Sequence, residues 1–119
     1  MSFRNLIRQG LIRLGFIYRP NFSARTVLTH PTSEDIQPGQ MIIVGGAKHQ
    51  KWACFHCPGQ CGETILLSLT PMRHPRWTVS IDWLGRPTLQ PSIRQLNECK
   101  CHFWIEQGKV KWCSDSGRR

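Results

Sequence analysis

Two cysteine clusters, roughly forty residues apart, limit what this chain can fold into more than any other feature. The first is Cys57-Pro58-Gly59-Gln60-Cys61-Gly62-Glu63, two thiols held apart by a Pro-Gly turn. The second is Cys99-Lys100-Cys101-His102, two thiols and an imidazole within reach of one turn. A fold that joins the two halves makes a four-donor site. Zinc suits it, because a cation without a geometric preference of its own accepts thiolates and imidazoles arranged tetrahedrally. One zinc ion is therefore the expected cofactor.

The expected ligands are Cys57, Cys61, Cys99 and His102. Cys54-x-x-Cys57 has the commonest knuckle spacing, yet Pro58, Gly59 and Gly62 give the 57–61 stretch its sharp turn and free backbone N–H donors. Cys54 ends a strand-like run and reads as a small core residue. Cys99-x-x-His102 has tight loop spacing, whereas neighbours Cys101 and His102 point to opposite faces of a strand. Cys101 and Cys113 stand as substitutes for a named ligand. Glu63, two residues from Cys61, is the expected catalytic group, a base for a zinc-bound water; its other reading is a surface carboxylate.

Six cysteines in 119 residues suggest disulfides only if the chain is secreted. No long apolar signal stretch is evident, and thiols grouped with histidine follow the metal pattern, so a reducing, cytoplasmic setting is expected. The net charge of +9 calls for an acidic partner. Arg4, Arg8, Arg13, Arg19 and Arg25 fall in residues 1–33, which hold no acidic residue, and the chain ends on Arg118-Arg119. An acidic protein face satisfies this charge as well as nucleic acid does, and nucleic acid is the second choice. No membrane partner is expected.

Residues 2–16 place Phe3, Leu6, Ile7, Leu11 and Leu14 on one helical face, with Arg4, Arg8 and Arg13 largely off it. Gly10 costs this helix about 1 kcal/mol, and Gly15 with Pro20 closes it. The same composition resembles a transit peptide, but a packed or partner-binding helix is the favoured reading. Beyond residue 25, β-branched and aromatic runs separated by Pro and Gly predict strands at 25–29, 41–44, 51–54, 64–69 and 76–83. A last hairpin turns at Gln107-Gly108 and pairs Phe103 with Trp112, Trp104 with Lys111, Ile105 with Val110 and Glu106 with Lys109. This register sets His102 opposite Cys113. The expected fold is α+β: a basic amphipathic helix over residues 1–20, then a mainly antiparallel zinc-binding β domain over residues 21–119.

Ser92, in Gln90-Pro91-Ser92-Ile93, reads as a turn former, because no histidine-carboxylate pair lies near it in sequence. His30, His49, His56 and His74 read as ordinary solvated or core histidines.

The order Pro38-Gly39, Cys57-Pro58-x-x-Cys61-Gly62, Arg76-Trp77, Leu89-x-Pro91-Ser92-Ile93, Cys99-x-x-His102-Phe103 and Gly108-x-Val110-x-Trp112-Cys113 resembles a bacterial family first catalogued as domain of unknown function six-five-two-seven. The resemblance spans roughly residues 34–113. It implies a zinc-dependent, deubiquitinase-like peptidase in an antiphage-defence operon, acting on a ubiquitin-like protein beside its activating and conjugating enzymes. The chain departs from the family pattern at Gly59, where a middle cysteine is common, and at Cys101, where a small residue is usual. The alternative is a non-enzymatic, zinc-stabilised adaptor or nucleic-acid-binding module.

Overall fold

The computed structural model describes residues 3–13, 20–46 and 48–117. The strands form two four-stranded sheets. The first runs β1 (Ser23–Val27), β2 (Gln40–Gly46), β3 (His49–His56) and β4 (Thr64–Ser68), and the second β5 (Thr78–Ile81), β6 (Pro87–Arg94), β7 (His102–Glu106) and β8 (Lys109–Trp112). Neighbouring strands are antiparallel except β1 with β2, which are parallel. A parallel pair requires a crossover of about a dozen residues, and residues 28–39, with a 3-10 turn at Ser33–Asp35, supply it.

Period-2 alternation builds the core. Met41 and Ile43 on β2, Ala53 and Phe55 on β3, and Ile65 and Leu67 on β4 join Leu89, Ile93, Phe103 and Ile105 of the second sheet in one buried cluster. A chain of edge-to-face aromatic contacts runs from Phe22 to Phe55 at 5.1 Å, crosses between the sheets from Phe55 to Phe103 at 6.5 Å, and ends within the second sheet from Phe103 to Trp112 at 5.5 Å. Such pairs add specific geometry to area burial. Here they fix the β7–β8 hairpin against the first sheet.

The small, mostly antiparallel β domain with one short helix agrees with expectation, and the hairpin has the predicted register at all four pairs. Gly108 has φ +76°, and a Cβ there would lie 2.5 Å from the Phe22 carbonyl oxygen, so the turn needs glycine. The expected strand at 76–83 is shorter. Asp82 ends it by accepting hydrogen bonds from the Leu84 and Arg86 backbone N–H groups and pairing with the Arg86 guanidinium, which leaves Trp83 exposed.

Strand β6 was not expected at all, because its two prolines, Pro87 and Pro91, read as turn formers. Its register against β7 is irregular between Leu89 and Ile93, where four steps on β6 face two on β7. Pro91 falls inside that irregularity, where a missing N–H costs no ladder bond.

Helix α1 (Phe3–Arg13) lies within the expected 2–16 span; residues 14–19, including Leu14 and Gly15, are outside the described residues. Its attachment corrects the expectation that arginines stay off the packed face. Arg8 is buried and donates to the Leu84 carbonyl at 3.1 Å, while Phe3 and Leu6 are exposed. No helix among the described residues is long and apolar enough to cross a membrane.

Candidate active site and cysteine cluster

Alternation along β7 sends adjacent residues to two different sites. Cys101 is buried and His102 is directed to the outer face, followed by buried Phe103 and exposed Trp104. Arg94 on β6 is the direct cross-strand partner of His102, so Ser92, two residues earlier, flanks the same ring on the same face. On the other side the Cys113 N–H donates to the His102 carbonyl at 2.9 Å. The chain then turns back, and the Ser116 hydroxyl accepts the His102 N–H at 3.0 Å, which holds Asp115 over the imidazole.

The result is a relay of three side chains. Ser92 Oγ lies 3.0 Å from His102 Nε2, and His102 Nδ1 lies 2.7 Å from Asp115 Oδ1. An ionised carboxylate only accepts, so Nδ1 carries the ring proton and donates it to Asp115, leaving the Nε2 lone pair for the Ser92 hydroxyl. Arg94 lies 3.0 Å from Nδ1, but that nitrogen already bears a hydrogen; the guanidinium donates instead to Asp115 Oδ2 at 2.6 Å. The Arg94 bond first, then the His102 bond, lowers the Asp115 carboxyl to about 2. Asp115 is therefore an anion throughout the pH range in which an imidazole can act as base. A folded pKa below the unfolded one of about 3.9 gives stability that is present above that value and lost as pH falls toward 2.

Asp115 is half exposed, with 55% of its side-chain surface open, and Arg94 adds a second anchor to the turn and the His102 bond that hold it. Arg94→Ala is expected to lower kcat by at most about tenfold with KM little changed, the scale of one exposed charge-assisted hydrogen bond. Steady-state kinetics with a peptide substrate checks this split; a rise in KM alone would assign Arg94 to substrate binding.

Cys57 follows the end of β3, and its turn closes through Gln60 N–H to the Cys57 carbonyl at 3.1 Å and Cys57 N–H to the Glu63 carbonyl at 2.9 Å. The Gly59 N–H donates to Cys57 Sγ at 3.4 Å. The second turn places Cys99 and Cys101 against it. Sγ separations are 3.9 Å for Cys57–Cys99, 3.5 Å for Cys57–Cys101 and 3.3 Å for Cys99–Cys101, and Cys61 Sγ lies within 4.8 Å of both Cys57 and Cys99. Tetrahedral zinc with Zn–S bonds of about 2.3 Å requires sulfurs about 3.8 Å apart. Cys57, Cys61 and Cys99 are close enough together to hold such an ion. Burial raises the Cys57 and Cys101 thiols, whereas at Cys99 the same burial is outweighed by hydrogen bonds from the Cys101 backbone and neighbouring thiols, which lower it.

Of the expected ligands, the fold brings Cys57, Cys61 and Cys99 together and places His102 in the other group, with Cys113 and Asp115. Cys101 Sγ lies beside Cys57 and Cys99, at 3.5 and 3.3 Å, but outside the group of three thiols whose sulfurs all lie within 4.8 Å of one another. Glu63 stands on the cysteine side, exposed, in a hollow of about 210 Å³ lined by Cys61, Asn97, Glu98 and Cys99. Cys54 is fully buried with Ile36, Ile42 and Val44, as a core residue. Reading Ser92 as a turn former was incorrect: it belongs to β6, with its carbonyl accepting from Trp77 Nε1 at 3.3 Å. Asp115 was missed, although it lies two residues beyond Cys113, which the hairpin register already set opposite His102.

A strand-borne serine hydrogen-bonded to a histidine that is oriented by an ionised carboxylate is the arrangement that serine hydrolases use. The family described as "Bacterial ubiquitination-like system serine protease (BubE)" matches residues 28–113, well over half of the chain, and the chain belongs to that family. The matched span holds Ser92, His102 and all six cysteines and stops two residues before Asp115. The family is one of proteases in a bacterial ubiquitination-like system, as the resemblance in the sequence implied, and its description names a serine enzyme rather than a zinc-dependent one. Searches of curated proteins and of solved structures returned no match.

Proposed function

We propose that this chain is a serine peptidase that cuts the bond formed by the C-terminus of a ubiquitin-like modifier, with Ser92 as nucleophile, His102 as general base and acid, and Asp115 as the orienting carboxylate. The observation that carries the reading is the unbroken relay from Ser92 Oγ through both ring nitrogens of His102 to Asp115, at 3.0 and 2.7 Å. Ser92 Oγ attacks the carbonyl carbon while its proton passes to Nε2. Asp115 stabilises the resulting imidazolium. His102 then returns the proton to the leaving amine, an acyl group stays on Oγ, and water activated by the same Nε2 releases it.

In this reading the cysteine cluster holds a structural zinc. Cys57, Cys61, Cys99 and Cys101 would be its ligands, and four thiolates close a tetrahedral ion and leave no position for a reacting water. Bound there, zinc supplies a cross-link between two loops, one of which leads directly into His102. A reducing, cytoplasmic setting that keeps the thiols free belongs to the same proposal. So do an acidic face on the modifier, matched to the chain's excess positive charge, and association with activating and conjugating enzymes.

The competing zinc-hydrolase reading gives Glu63 the role of base. The two separate on one variant. Glu63→Gln is expected to retain the full rate against the modifier encoded beside the protein, whereas a base for metal-bound water would lose roughly 10²- to 10⁴-fold. A loss of that size with zinc and fold intact would move the chemistry to the cysteine side.

A further inference from the structure

We propose that the face carrying the relay is also a reversible inhibitory site for zinc or another thiophilic divalent cation, ligated by His102, Cys113 and Asp115. The inference rests on the reading of His102 as the base. One ligand atom from each of the three residues lies within 4.8 Å of the other two, so that small side-chain shifts bring all three to bond lengths of about 2.0–2.3 Å from one ion. A thiolate, an imidazole and a carboxylate form a zinc donor set with one position left for water.

The fold assembles this set by register. Cys113 is held on the β8 side of His102 by its N–H bond to the His102 carbonyl, Asp115 by the turn that follows, and neither Cys113 nor its thiol enters the hydrolytic steps above. Cys113 is a free, half-buried thiol separate from the four-sulfur cluster. Binding releases the Cys113 thiol proton to solvent and forms bonds from the ion to sulfur, a ring nitrogen and a carboxylate oxygen. Arg94, with half of its side-chain surface exposed, swings off Asp115 as the ion takes its place.

Coordination through either ring nitrogen disarms the relay. At Nε2 the ion takes the lone pair that accepts the Ser92 proton. At Nδ1 it forces the ring proton to Nε2, which turns that nitrogen from acceptor to donor. Either route removes the base without displacing Ser92. Zinc at this face would thus be an off-switch, distinct from zinc in the cysteine cluster.

The test uses full-length protein already carrying one zinc per chain. Added zinc is expected to abolish turnover, and a mild chelator to restore it without stripping the first ion. Cys113→Ser should keep the basal rate but need about tenfold more zinc or higher for half-inhibition, since losing even an outer-sphere partner of a bound metal costs 10- to 100-fold in affinity. Equal inhibition of Cys113→Ser and wild type overturns the site. A binding readout separates this from failure of the peptidase reading: Ser92→Ala loaded with one zinc should take up one cobalt ion with a thiolate-to-cobalt absorption band, and Ser92→Ala/Cys113→Ser should lack that band. Absent turnover in wild type would defeat the nucleophile assignment, and the cobalt band would then decide the metal site alone.

Discussion

Ser92→Ala is expected to remove peptidase turnover by on the order of 10⁴- to 10⁶-fold, the scale of losing the nucleophile from a serine–histidine–carboxylate unit. Fold and metal content should not change. The hydroxyl bonds to His102 Nε2, while the backbone carbonyl of the same residue, which the alanine keeps, accepts the Trp77 indole N–H. His102→Ala should cost about as much, and the double variant little more than either single one, because residues acting as one unit lose their effect together. Rates of modifier cleavage for the three variants check this. Additive losses would mean that Ser92 and His102 act in separate steps.

Cys57→Ser and Cys101→Ser form the second large effect, on folding rather than on rate. Structural zinc contributes an apparent 10–16 kcal/mol in small metal domains, against a net stability of about 5–15 kcal/mol for an ordinary domain. Loss of one buried ligand should leave the chain largely unfolded and metal-free. His102→Ala should instead retain one zinc and a normal circular-dichroism spectrum. Metal analysis of the three variants distinguishes the four-sulfur set from the set of Cys57, Cys61, Cys99 and His102. Full zinc in Cys101→Ser together with zinc loss in His102→Ala would restore the latter.

The contrast between the two sites shows which parts of this molecule can be read from sequence. Cysteines announce themselves, since few other roles group them at such spacings, and the Pro58-Gly59 turn is a local signal. The final hairpin is equally local, and Gln107-Gly108 with alternating Phe103, Ile105, Val110 and Trp112 fixed it pair by pair. The relay is not local. Ser92, His102 and Asp115 lie on β6, on β7 and in the turn after β8, and they meet only because β6 pairs with β7 through a bulge.

That pairing was hidden by Pro87 and Pro91, which argue against a strand wherever the irregular register is unknown. Had β6 been drawn beside β7, Arg94 would have faced His102, and Ser92 would have followed by alternation. The neighbours Cys101 and His102 show the same limit from the other direction. Their opposite facing was legible, but not the fact that each face has its own chemistry. Helix α1 repeats it, because the burial of Arg8 depends on the Leu84 carbonyl 76 residues away.

Ser92 acting as a nucleophile activated by His102 is tested most directly by covalent trapping. A fluorophosphonate probe added to zinc-loaded protein, followed by peptide mass spectrometry, is expected to leave one phosphonyl adduct on Ser92 in wild type and Glu63→Gln, and none in folded His102→Ala. An unlabelled Ser92 in wild type that still cleaves its modifier, or equal labelling of His102→Ala, would contradict the account.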